Sequence, residues 1–97
     1  MNLYAIRRRG FWGTPEQLRA TAAKSAQVGE EMADDVRWIR TYVVQEDSGR
    51  LGTICIYEGT SPEKVREQAE RAGIPVDEIS LVVDTVLVGP DPVAVAT

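Results

Sequence analysis

Ninety-seven residues, 43% of them hydrophobic and 27% charged, suit one globular domain with a single modest core. The chain has no histidine and one cysteine, which excludes Ser-His and Cys-His catalytic pairs, His-ligated zinc, an intrachain disulfide and a Cys-based zinc cage. Eleven Lys and Arg against 15 Asp and Glu give a net charge of -4, the wrong sign for general nucleic-acid binding. The run Arg7, Arg8, Arg9 is the one basic cluster, and in a strand its neighbours point to opposite faces. No apolar stretch approaches the roughly 20 residues of a membrane span. The N-terminus lacks the charged-then-apolar order of a secretory signal, so a reduced, cytoplasmic protein is expected.

In chain order, Leu3 to Arg8 reads as a strand, with Gly10 and Gly13 marking the loop after it. Thr14 is a good N-cap, with Pro15 at the first helical position and Gln17 at the capping-box position. A helix is predicted from Pro15 to Met32, with Leu18, Ala22, Val28 and Met32 on its apolar stripe. Small Ser25 and Gly29 on the same side point to close approach to a sheet. Arg37 to Gln45 and Leu51 to Tyr57 are strands joined by the turn residues Asp47, Ser48 and Gly49. Ser61 and Pro62 open a second helix whose inner face is Val65, Ala69 and Ala72, and Gly73 stops it. Leu81 to Val88 is a final β-branched strand, and Val93 to Thr97 a loose tail or an arm laid on a partner.

The order is βαββαβ. Thr14-Pro15-Glu16-Gln17-Leu18-Arg19 is echoed by Ser61-Pro62-Glu63-Lys64-Val65-Arg66, each copy leaving a strand and entering a helix. Together they predict an α+β, ferredoxin-like domain over residues 1–88. It has two βαβ halves and a four-stranded antiparallel sheet with both helices on one face. Residues 89–97 form a C-terminal tail.

Strand alternation predicts what the other face carries. The sets Ile39, Thr41 and Val43 of one strand and Ile54 and Ile56 of the next fit the helix-covered side. The open side then holds Trp38, Arg40, Tyr42, Cys55 and Tyr57, with Leu3, Ala5 and Arg7 from the first strand and Val82, Asp84 and Val86 from the last. A patch so rich in aromatics marks an interface or a ligand groove, and a second copy of the chain is its simplest cover. Arg40 and Asp84 would then satisfy each other, or Arg40 would meet an anionic ligand between aromatic walls. Cys55 reads as a small buried hydrophobe, since no histidine is present to activate it. Glu30, Glu31, Asp34 and Asp35 read as a solvated acidic turn without calcium-loop spacing.

The segments Trp38–Val43, Thr53–Glu58 and Val65–Ile79 resemble a small family of nickel-binding-type bacterial proteins with a dimeric ferredoxin-like fold. The resemblance runs from about Leu3 to Val88 and is most specific in Arg71-Ala72-Gly73-Ile74-Pro75 and in the Cys55-Ile56-Tyr57 strand. It implies the fold, a dimer and a small-molecule or metal-binding role. The chain departs from the family pattern at two positions. Arg40 and Gln68 stand where relatives often carry histidine. A cation at Arg40 repels a divalent metal, and an amide is a weak ligand for nickel.

The reading these residues favour is a non-enzymatic homodimer, closed through its open sheet face, without cofactor or metal. Trp38, Tyr42 and Tyr57 would wall a small-molecule site, Arg40 would face an anion, and Cys55 and Gln68 would add polar contacts. Nucleic acid and membrane are not expected partners. Two other readings use the same residues. One is a cofactor-free oxygenase or isomerase with Asp84 or Cys55 as acid or base, an analogy at the level of the fold. The other is metal binding through carboxylates and Cys55.

Overall fold

Helix α1 (Pro15–Glu31) begins as its sequence dictates. Thr14 Oγ1 accepts the Gln17 N–H at 3.2 Å, and Gln17 Oε1 reaches back to the Gly13 N–H at 2.9 Å. Helix α2 (Pro62–Ala72) repeats the device, with Ser61 Oγ accepting the Lys64 N–H at 3.2 Å, and it stops at Gly73. The echoed segments are therefore two copies of one N-capping arrangement. The computed structural model describes residues 1–91, so the arm expected over Val93 to Thr97 lies outside the described residues.

The strands are β1 (Asn2–Trp12), β2 (Val36–Gln45), β3 (Leu51–Gly59) and β4 (Glu78–Leu81). They form one sheet in the order β2-β3-β1-β4, and every neighbouring pair is antiparallel. The chain is thus βαββαβ, with α1 and α2 packed on one face, as the α+β ferredoxin-like reading requires. The β2–β3 hairpin closes where expected, the Glu46 N–H donating to the Arg50 carbonyl at 2.8 Å.

Two boundaries differ from the sequence reading. β1 runs past Arg8 to Trp12, because Gly10 does not end the strand but bulges it. The register with β3 shifts between Arg8 and Trp12, and Gly10 takes a φ of +58° that other residues adopt only at a cost. The last strand lies earlier than Leu81 to Val88. β4 pairs Glu78 with Arg7 and Leu81 with Tyr4, and the Val82 N–H then donates to the Leu3 carbonyl at 2.9 Å. Val83 would fall opposite Asn2, the first residue of β1, so the residues after it have no ladder to join. The chain instead continues without a strand to Asp91, at β2 on the far edge of the sheet.

The face assignment is the larger correction. Opposed residues in an antiparallel pair share a face, and Tyr4, Ile6 and Arg8 of β1 lie opposite Tyr57, Cys55 and Thr53 of β3. All six are buried against the helices. Ile54 and Ile56 therefore face away from them, the reverse of the expected split. Volume explains the outcome. The inner faces of the helices carry small Ala22, Ser25, Ala69 and Ala72 beside Leu18, Val28, Val65 and Gln68, with no aromatic side chain, so the sheet has to supply the largest side chains of the core. Tyr4, Tyr57 and Trp12 do so, with Trp38 packed against them.

Two glycines separate close approach from open space. A Cβ at Gly59 would lie 2.6 Å from Val65 Cγ2, whereas one at Gly29 would meet nothing within 4 Å. Gly59→Ala is therefore expected to cost about 1–3 kcal/mol by pushing α2 off β3. Gly29→Ala, in a helix interior, should gain up to ~1 kcal/mol. Urea unfolding midpoints of the two variants against wild type check both signs.

Candidate functional site

The covered face of the sheet is incompletely filled. A cavity of about 30 Å³ remains between α1 and the sheet. Arg8, Thr53, Cys55 and Tyr57 form its buried floor, and Trp12, Leu18, Ala22, Trp38, Thr41 and Ile74 are among its walls. Trp38 and Thr41 reach it together because β2 carries an irregularity. The register with β3 shifts between Trp38 and Arg40, so Trp38 lies opposite Tyr57 and Thr41 opposite Cys55. Without that extra residue Trp38 and Thr41 would point to opposite faces.

Arg8 is the unusual member. Its neighbours Arg7 and Arg9 pair with Glu46 at 2.6 Å and with Glu78 at 3.1 Å. Arg8 is 1% exposed, and among the described residues it has no carboxylate partner. Its Nε donates to the Pro75 carbonyl at 2.7 Å and its Nη1 to Cys55 Sγ at 3.4 Å, while Nη2 has no partner. Thr53 Oγ1, 3% exposed in the same floor, is also unpartnered. Such orphaned polar atoms are rare in folded proteins and call for an explanation.

Around Arg8 the polar groups form a chain. Trp38 Nε1 donates to Thr41 Oγ1 at 2.7 Å, and Thr41 Oγ1 donates to Cys55 Sγ at 3.1 Å. Cys55, a buried residue, thus accepts from both Thr41 and Arg8. Trp38 stacks parallel to Tyr57 with ring centroids 6.0 Å apart. The Tyr57 hydroxyl lies 3.3 Å from Ser25 Oγ, and Gln68 Nε2 donates to Ser25 Oγ and to the Ser25 carbonyl, each at 2.9 Å. Burial pushes the Tyr57 phenol above the ordinary tyrosine range, against a smaller opposing effect of the Ser25 hydrogen bond.

The six expected ligand-binding residues therefore divide. Trp38, Cys55 and Tyr57 line the cavity on the helix side, and Gln68 sits behind it as a bridge from α2 to Ser25 of α1. Arg40 and Tyr42 lie on the other face, opposite Ile56 and Ile54. They converge on the tail, not on Asp84: Asp91 contacts Arg40 at 2.5 Å and accepts from the Tyr42 hydroxyl at 2.7 Å. Asp84 is occupied locally, accepting the Thr85 N–H at 2.8 Å. The hydrogen bond from Arg40 to Tyr42 and the charge of Asp91 both hold the Arg40 proton more tightly. Alternation alone missed Arg8, Thr53 and Trp12. The signal that marks them is the pairing of small helix faces with a strand carrying both bulk and charge.

The residues present do not fit a nickel ion. Among the described residues no three His, Cys, Asp or Glu side chains gather to hold a metal. The one thiol faces the Arg8 guanidinium, whose charge opposes a divalent cation at that point. The alternative site made of carboxylates and Cys55 has no counterpart there either, and Asp84 is not among the residues that line the cavity.

Tyr57 supplies a pH test. Its folded-state pKa is raised, so below about pH 10, the ordinary tyrosine value, both folded and unfolded chains keep the proton and stability is complete. As pH climbs from there through the higher folded value, the unfolded chain ionises first and stability is lost. Tyr57→Phe should flatten that alkaline decline, at a cost of about 0.5–1.5 kcal/mol near neutrality for the lost Ser25 contact. Chemical denaturation of both proteins from neutral to strongly alkaline pH measures the two slopes.

The comparisons with known proteins follow the same outline. The crystal structure of SCO4226 from Streptomyces coelicolor A3(2) superposes on this chain with a TM-score of 0.71 at 28% sequence identity, covering 87% of this chain and 99% of that one. No curated protein matches the sequence. Among the described residues no helix is long and apolar enough to cross a membrane. The model of the SCO4226-like family, described as nickel responsive proteins, matches residues 4–82, from the first strand to the end of the last, and the chain belongs to that family.

Proposed function

We propose that this chain is a non-enzymatic small-ligand-binding domain whose pocket lies under the sheet, between β1, β3 and α1. The observation that carries the reading is the unfilled cavity between α1 and the sheet, walled by indole and aliphatic side chains. Apolar walls with a few convergent polar groups are the usual make-up of small-molecule sites. Cys55 has no base beside it, which favours binding over covalent chemistry. Its burial as a lone thiol suits a reducing, cytoplasmic setting.

Family membership brings nickel to mind, and the side chains argue for a different occupant here. Xenon, a neutral probe, should enter the pocket saturably in xenon NMR titrations. Ala22→Leu, which extends a wall residue into the space, should abolish that. Nickel added to tag-free protein should leave it on dialysis at well below one ion per chain. Absence of saturable xenon binding in the wild type overturns the pocket. Stoichiometric retention of nickel overturns the departure from the family's description.

A second copy of the chain is the proposed partner. The face turned away from the helices carries Tyr42 and Ile54, 43% and 37% exposed, and the segment beyond β4 holds Val83, Val86, Leu87 and Val88, each more than 80% exposed. So many aliphatic side chains in one extended stretch are not left in water by a stable monomer. Arg40 and Tyr42 tie the end of that stretch, at Asp91, to the rim of the same face. A two-fold dimer buries it against itself. Sedimentation should show dimer for wild type at micromolar concentration and monomer for Ile54→Lys combined with Leu87→Lys, with the circular dichroism spectrum retained. A wild-type monomer refutes the dimer.

A further inference from the structure

We propose that residues 82–88 are an exchanged strand: each copy of the chain lends them to the other, where they pair along the free edge of β2. The inference rests on the dimer reading above and adds how the two copies join. Five of these seven residues are β-branched, and Asp84 is the one charge among them. Such a composition suits a strand in a ladder. Within the chain the ladder stops where β1 begins. Val83, Val86, Leu87 and Val88 are almost fully exposed, and among the described residues no backbone group of 83–91 bonds to another element. The segment from 83 onward also lies beyond residues 4–82, which match the family model, so the family frame does not account for it.

The edge of β2 offers what this segment lacks. β2 is ten residues long and pairs with β3 alone. From Thr41 to Gln45 it carries neither charge nor proline, and among the described residues no loop or helix bonds to its outer side. Edges of that kind take up a further strand. The segment cannot lie along β2 of its own chain. β4 and β2 are opposite edges, about 14 Å apart, and Tyr42 stands about 13 Å further along the strands than Val82. Crossing that diagonal of about 20 Å takes up most of residues 83–90, so only Asp91 arrives, at Arg40 and Tyr42. In a two-fold dimer of facing sheets, an axis parallel to the strands sets β4 of each copy across from β2 of the other, about 10 Å away. Height along the strands is unchanged by that axis. The segment then reaches the partner's β2 within a few residues and has its remaining length free to pair. Asp91 meets the partner's Arg40 and the partner's Tyr42 in place of its own.

The test begins with full-length wild type at a concentration where sedimentation shows dimer, with amide exchange read residue by residue by NMR. The amides of Val86, Leu87 and Val88 should exchange about a hundredfold or more slower than in an unstructured peptide. Val86→Pro combined with Leu87→Pro removes two successive amides, one of which points into the ladder in either register. Neither is bonded within the chain, so the circular dichroism spectrum should be kept, the protection at Val88 lost and the dimer dissociation constant raised about tenfold or more. Arg40→Asp and Asp91→Arg separate exchange from a contact within one chain. Each variant alone sets like charges together. In an equilibrated equimolar mixture, only exchanged arms restore opposite charges at both contacts of the heterodimer. Native mass spectrometry should then show heterodimer well above the roughly one half expected at random. A wild-type dimer with unprotected arm amides, or a mixture that stays at random, overturns the strand exchange and leaves the dimer standing. A wild-type monomer overturns both.

Discussion

The guanidinium of Arg8 sets the terms for the rest of this domain. It sits on β1, one of the two inner strands, on the face covered by both helices. A guanidinium that cannot reach solvent has to be met by polar atoms from every side. The loop after α2 answers with the Pro75 carbonyl, and β3 with the Cys55 sulfur, which Thr41 of β2 contacts in turn. Arg8 thereby links the second crossover to the centre of the sheet. The one nitrogen left over is buried without a partner, in a residue that borders the space the helices do not fill.

That space is itself a consequence of side-chain volume. Helices with Ala and Ser on their inner faces sit close to a sheet only if the sheet brings the bulk. Here the bulk is aromatic, and flat rings set over small helical residues leave a gap that branched aliphatic chains would have filled. Sending the aromatics inward also sends Ile54 and Ile56 outward. The pocket on one face and the unpartnered apolar surface on the other thus share one cause.

Membership of the SCO4226-like family accounts for the frame, and the side chains account for the chemistry within it. The same βαββαβ scaffold can present different donors from the same strand positions, because the backbone register fixes where a side chain points and not what it is. In this chain the buried donors are a guanidinium, hydroxyls, a thiol and an amide, with no imidazole available anywhere. Such a set is rich in hydrogen-bond donors and poor in soft or nitrogen ligands for a metal. Gln68 illustrates the difference: it spends its amide protons on Ser25, joining the helices, and leaves its oxygen without a partner.

Local chemistry made much of the fold legible before any coordinates. Thr14-Pro15 and Ser61-Pro62 announce helix starts, Asp47-Ser48-Gly49 a hairpin and Gly73 a helix end, since each acts through hydrogen bonds and torsions within a few residues. The candidate site was half legible. Trp38, Cys55 and Tyr57 do lie together at one cavity, yet on the face opposite to the one alternation assigns. Alternation states which residues lie together and is silent on which set turns inward. That choice depends on the volumes of helices arriving from elsewhere in the chain. The irregularity in β2 separates Trp38 from Arg40, and the bulge at Gly10 carries β1 on to Trp12; both depend on pairing with β3. Composition settled that no imidazole chemistry operates here, because an absent side chain is absent in every fold. Only the packed structure decided that one of three consecutive arginines would be buried without an acid, because burial is a property of neighbours brought together from distant parts of the chain.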